Sequence, residues 1–202
     1  MASTASPYGL RAVNELGGLP YAGSTRTFLI DPSGYNTNIF NGSIVRINSS
    51  GYINIVTTNG DDSTPFPAGT IGVFVGCSYY NAQGQLIFSQ YYPANTTGVV
   101  QAFVIDDDRA VFQAQADGSV TQASLGSNVY LAAVQSTSTG STTTGNSNTA
   151  LDASTIATTS GFAFRIVGFA DITGFSQVGD AYTDVLIKFN PGAHSYSNAT
   201  GI

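Results

Sequence analysis

Side chains able to move a proton or attack an electrophile are scarce in this 202-residue chain. There is one histidine (His194), one cysteine (Cys77), one glutamate (Glu15), one lysine (Lys188) and no tryptophan. Catalysis needs titratable groups that converge and shift one another's pKa, and here there is little to converge. A Cys77 thiolate would need a base beside it, yet the single histidine lies far along the chain. The run Gly72-Val-Phe-Val-Gly-Cys-Ser-Tyr reads as a buried strand, with Cys77 a small core residue. One cysteine cannot form an intramolecular disulfide. His194, in Pro191-Gly-Ala-His-Ser-Tyr, reads as a surface residue. The sequence contains no Gly-x-Ser-x-Gly, phosphate-binding loop, dinucleotide fingerprint or zinc spacing. The expectation is a protein that binds or builds, not an enzyme, with no cofactor and no metal.

The carboxylates form two clusters. Asp106-Asp107-Asp108 could supply oxygen ligands to calcium, but the Asp-x-Asp-x-Asp-Gly spacing is absent. Arg109 follows directly and can pair with one carboxylate, so a solvated turn is the simpler reading. Asp61-Asp62 could join the triad as the paired carboxylates of a glycosidase. That chemistry needs one acid with a raised pKa in an apolar pocket, and these aspartates stand among polar residues. Tyrosines are better candidates. Tyr79, Tyr80, Tyr91, Tyr92, Tyr130 and Tyr182 offer large contact areas suited to interfaces or sugar faces, or else pack half-buried in a β-structure.

Only 9% of residues are charged, against about 25% in an ordinary domain. The formal net charge is −6. The six basic residues, Arg11, Arg26, Arg46, Arg109, Arg165 and Lys188, are scattered. Nucleic-acid binding needs a clustered basic face, and anionic membranes attract the same; neither partner is expected. No apolar run is long enough to span a bilayer. The first residues lack a basic and then apolar leader, so the chain is expected to be made and kept in a cytosol. Sequons at Asn41, Asn48, Asn95 and Asn198 are chance products of a chain rich in Asn, Ser and Thr.

The elements that would position these residues are short strands. Residues 27–30 end at Asp31-Pro-Ser-Gly, a turn sequence. Residues 43–48 and 52–57 flank Ser49-Ser-Gly as a hairpin, and 71–80 and 86–92 flank Asn81-Ala-Gln-Gly-Gln as another. The second hairpin alternates weakly and reads as buried on both faces. Strands at 99–105 and 110–115 bracket the aspartate triad, and 162–169 and 184–189 close the domain. Residues 124–134 read as one short helix or a strand. Hydroxyl- and glycine-rich residues 136–148 cannot fill a core and form a long loop, a flexible tip, or a segment ordered by a partner. The class is all-β: a compact barrel or sandwich of about 8–10 short strands. It spans 26–190, with an N-terminal arm at 1–25 and a loose C-terminal tail at 191–202. In the arm, glycines and prolines alternate with Tyr8, Leu10, Val13, Leu16 and Tyr21. Either it lies extended on another surface or it is a strand on its own domain.

One series of segments resembles a known family. Ser6-Pro-Tyr-Gly-Leu-Arg, Val13-Asn and Gly17-Gly-Leu-Pro-Tyr-Ala-Gly-Ser-Thr-Arg are similar to the N-terminal arm of tailed-bacteriophage capsid decoration (cement) proteins. The similarity continues in Phe88-Ser-Gln-Tyr-Tyr-Pro-Ala, Val111-Phe-Gln-Ala-Gln-Ala-Asp-Gly-Ser-Val, Arg165-Ile-Val-Gly-Phe and Gly179-Asp-Ala-Tyr-Thr-Asp-Val-Leu-Ile-Lys-Phe-Asn. The resemblance implies a virion protein on the outer surface of an expanded shell, made in a bacterial cytoplasm. Its partners would be the major capsid protein and further copies of itself, grouped as trimers. Pro7, Tyr8, Leu10, Arg11, Val13, Tyr21 and Arg26 would then form the arm's contact with shell or neighbour. The rival readings are a receptor- or glycan-binding head-fibre or tail protein, a glycoside-cleaving enzyme, and a calcium-dependent adhesion domain.

Overall fold

β-branched and aromatic residues in runs of four to six favour pleated strands, and asparagines set two of the turns between them. In the computed structural model, which describes residues 3–170 and 176–202, these runs build two antiparallel sheets. The first orders β1 (Arg11–Glu15), β8 (Ala110–Gln115), β11 (Asp184–Phe189), β10 (Phe164–Phe169) and β9 (Asn128–Val129). The second orders β2 (Arg26–Ile30), β7 (Val100–Ile105), β5 (Thr70–Tyr80), β3 (Ile44–Ile47) and β4 (Ile53–Ile55). β6 (Leu86–Ser89) pairs with the far end of β5. The result is an all-β sandwich. Both expected hairpins form. Asn48 accepts from the Ser50 and Tyr52 N–H groups at 2.9 and 3.0 Å. Asn81 does the same for Gln83 and Gln85 at 3.0 and 2.9 Å. Residues 106–109 carry the chain from the second sheet to the first.

Two cores result. Phe112, Phe164, Ile166, Ile187 and Phe189 of the first sheet meet Ile44, Val73 and Ile105 of the second. The opposite face of the second sheet holds its own core: Val45, Ile53, Ile71, Phe74, Cys77, Ala102 and Val104. The end strands β2 and β4 of that sheet come back into contact, so the sheet curls around this core. Ile39 and Tyr92 are fully buried within it. The Tyr92 hydroxyl accepts from the Tyr35 N–H at 3.0 Å and reaches the Tyr35 and Thr96 carbonyls.

β5 therefore has both faces buried along most of its eleven residues, and it neighbours β3, β6 and β7. β6 departs from the expectation of burial on both faces, because Leu86 and Phe88 face solvent. Pairing shifts by a residue at two places along β5, and a glycine lies at each. Gly72 has φ +142°, and a Cβ there would stand 1.9 Å from the Ile105 carbonyl oxygen. Gly76 has φ +150° and faces the Ser89 carbonyl.

Two segments differ from their sequence-based outlines, and a third takes one of the forms offered for it. Residues 124–134 hold neither one helix nor a full strand, only the two-residue β9 after a 3-10 turn at Gln122–Ser124. The 136–148 segment is a long loop ordered by its own domain: Asn41 N–H donates to Gly145 O and Ser147 N–H to Asn41 O. Just before it, buried Gln135 accepts from Ile44 N–H at 2.8 Å and donates to Ile44 and Val56 carbonyls at 3.1 and 3.0 Å. The C-terminal segment is not loose. Its 3-10 turns Pro191–Ala193 and Ser195–Ser197 pack Ala193 and His194 into the fold.

Gly72→Ala combines a positive φ with a backbone collision and is expected to cost about 3 kcal/mol or more. In a domain of this size that lowers the melting temperature by roughly 10 °C, measurable by calorimetry. A loss under about 1 kcal/mol would show that β5 tolerates a Cβ at this bulge.

Candidate interaction surfaces

The polar residues singled out in the sequence hold the chain together. Asp106 is buried and pairs with Arg26 at 2.8 Å, and the Tyr196 hydroxyl donates to the same carboxylate oxygen at 2.8 Å. Ser197 donates to Asp108 at 2.9 Å. Arg109 contributes its backbone N–H to Asp107 rather than its guanidinium. The aspartate turn is thus a clasp for the C-terminal segment. Asp61 accepts from Ser63 and Thr64, and these bonds, the Thr64 N–H foremost, hold it below the usual carboxylate range. A glycosidase acid needs the opposite shift. Burial pushes the Cys77 thiol up to about 12. Among the described residues, no three of His, Cys, Asp and Glu are grouped to hold a metal ion.

His194, expected at the surface, is buried. Its Nε2 donates to the Ile71 carbonyl at 3.0 Å, and its Nδ1 accepts from the Tyr196 N–H at 3.3 Å. The bond accepted by Nδ1 requires the neutral ring with its proton on Nε2, and burial draws its pKa below the ordinary 6.5.

The arm packs on its own domain, the second of the two arrangements its sequence left open. Its first two residues fall outside those described. Ser6 N–H donates to Gln115 at 2.7 Å, and Tyr182 N–H donates to Ser3 at 2.9 Å. Tyr8, half-buried beside Pro7, donates its hydroxyl to Asp184 at 2.9 Å. Burial and the Asp184 carboxylate push its phenol above the usual range. Arg11 stacks over the Tyr8 ring at 4.6 Å. Gly9 passes so close to Gly42 and Ser147 that a Cβ would collide with both, and Leu10 is in the core. Leu10 is therefore not free to anchor a partner, and the Tyr8 hydroxyl is committed to Asp184. β1 then pairs with β8, and the chain turns sharply at 16–19. Glu15 N–H donates to Leu19 O at 2.8 Å, and Leu16 N–H to Arg109 O at 2.9 Å. Val13, Leu16 and Leu19 are 40%, 45% and 59% exposed. Tyr21 returns to pack on the core, its hydroxyl donating to Ser24 O. Of the seven expected contact residues, Val13 is part-exposed in β1 ahead of this turn, Arg11 is exposed beside Tyr8, and Arg26 is committed to Asp106.

A second surface escaped the sequence. Phe88 lies opposite Ser78, and Phe103 opposite Gly76. The two rings stand parallel, centroids 6.5 Å apart, and Ser78 lines the groove with them. Leu86, Tyr80, Val99 and Gln101 extend the walls of a groove of about 380 Å³. Phe88 is 72% exposed and Tyr80 63%. Leu29, opposite Gln101 on β2, continues the same face. The available signal was the uncharged run Leu86-Ile-Phe-Ser beside Tyr79-Tyr80. Of the other tyrosines, Tyr92 is core, Tyr91 stacks on Phe40, and Tyr130 meets Phe162 edge-on.

No family model, no curated protein and no solved structure matches this chain. No helix among the described residues is long and apolar enough to cross a membrane.

The His194 contacts generate a pH prediction. With its folded pKa below 6.5, the unfolded chain takes up the proton first. The stabilisation is full above 6.5 and is lost as pH falls from there through the lower folded value. Melting temperature should therefore fall from about pH 7 to about pH 5, and His194→Gln should flatten that slope. An identical slope in the variant would exclude His194 as its source.

Proposed function

We propose that this chain is a structural virion protein that binds the outer surface of an expanded phage capsid and clamps neighbouring shell subunits against internal pressure. The observation that carries this reading is the partly exposed apolar turn at 16–19, fixed to the domain by anchors on both sides. Leu10 lies in the core before the turn and Tyr21 packs on it after. An apolar tip fixed in advance loses little conformational freedom on docking. Many symmetric copies then act together, so a modest contact at each suffices. The ordered resemblance to decoration proteins supports the same reading, as does the acidic character, which disfavours contact with packaged DNA.

The clamp is mechanical. Leu16 and Leu19 seat on a shell subunit, and the two sheets behind them form a rigid body that resists separation of its neighbours. Removing residues 1–25 would be a poor test, because it also strips Leu10 from the core and uncovers the edge of β8.

Quantitative mass spectrometry of purified particles should find this chain in amounts comparable to the most abundant shell protein. A few copies per particle would favour a fibre or tail role, and absence would overturn the virion reading. A paired Leu16→Asp and Leu19→Asp variant should keep its melting temperature, since both side chains are exposed, and lose at least about tenfold in affinity for expanded shells. Undiminished decoration by that variant would rule out the turn as the contact.

A further inference from the structure

We infer that the groove between Phe88 and Phe103 is a self-association surface, and that its occupant is a second copy of this chain. The geometry supplies both halves of a mutual fit. The floor is low because β5 contributes the small side chain of Ser78 there. The walls are the parallel rings of Phe88 and Phe103. Phe88 itself projects as the most exposed large apolar side chain among the described residues. Two such faces brought together by a two-fold axis can each place Phe88 over the other's groove, an isologous contact.

The absence of charge at this face permits a second copy to seat there. None of the eight residues lining the groove is charged, whereas the chain as a whole carries −6. A basic partner surface would be drawn to the carboxylates elsewhere and gain nothing at this face. Two copies repel over most of their surfaces and can meet closely only where charge is absent. Area agrees. Leu29, Tyr80, Leu86, Phe88 and Val99 leave roughly 500 Å² of apolar surface open per copy. A patch of that size is in the upper part of the range for the largest apolar patch of a monomer, and such patches are often functional. Two such faces together bury roughly 1,000 Å², the lower limit for a specific interface. The pair is accordingly weak in solution. On a shell, where copies stand side by side, it would couple one chain's shell contact to the next.

The test needs no shell, so it is independent of the virion reading. Sedimentation equilibrium on the full chain, from about 5 to about 500 μM, should show the mean mass rising from 20.9 kDa toward twice that value. Phe88→Asp and, separately, Leu86→Asp should each remain at 20.9 kDa with an unchanged far-ultraviolet spectrum. Leu125→Asp, at an exposed position in another part of the chain, should associate like the parent. A parent that stays monomeric throughout overturns the inference. So does association unaffected by both groove substitutions, or a limiting mass three times that of the chain.

Discussion

The burial of β5 on both faces is the constraint on which the rest of the fold depends. A strand with one wet face needs only one core, but this one separates two. Its neighbours must therefore close on it from both sides: the first sheet from one, and the curl of its own sheet from the other. Such proximity leaves no room for side chains where the neighbouring backbones cross it. Gly72 lets the Ile105 carbonyl lie against β5, and Gly76 does the same for Ser89. The bulges that accompany them increase local twist, as curling this sheet until β2 meets β4 requires.

Having so few charges, the chain satisfies its interior with neutral groups. Gln135 completes the hydrogen bonding of β3, Tyr92 that of the 35–39 loop, and His194 caps the Ile71 carbonyl as a neutral ring. Each leaves an orphaned buried group if removed, and such orphans cost about 1–3 kcal/mol apiece. Arg26–Asp106 is the single ion pair among the described residues, and it serves the clasp on the C-terminal segment. The residues that chemistry might have recruited are occupied in this way, while apolar surface is left outside. That inversion is what favours adhesion as the function proposed here.

β5 also links fold and surface. Its bulge at Gly76 curls the sheet over the inner core, and its small Ser78 leaves the groove beside Phe88 open. The turn at 16–19 follows a similar logic. Pairing of β1 with β8 fixes its base, and Leu16 and Leu19 remain 45% and 59% exposed there.

Much of the local structure was legible in the residues. The all-β class, both hairpins and the boundaries of β7, β8 and β11 follow from alternation and turn residues, which act over a few positions. Cys77 as a core residue follows from the apolar run around it. The status of His194, Tyr8 and Leu10 was not legible, because each is decided by a distant partner: Ile71, Asp184 and the inter-sheet core. The exposed face at Phe88 was hidden for the same reason. Leu86-Ile-Phe-Ser has the composition of a buried strand, and only the packing of the sheets leaves Phe88 uncovered. Periodicity reports which residues share a side of a strand; which side meets another layer depends on contacts between residues far apart in the chain, and those exist only once it has folded.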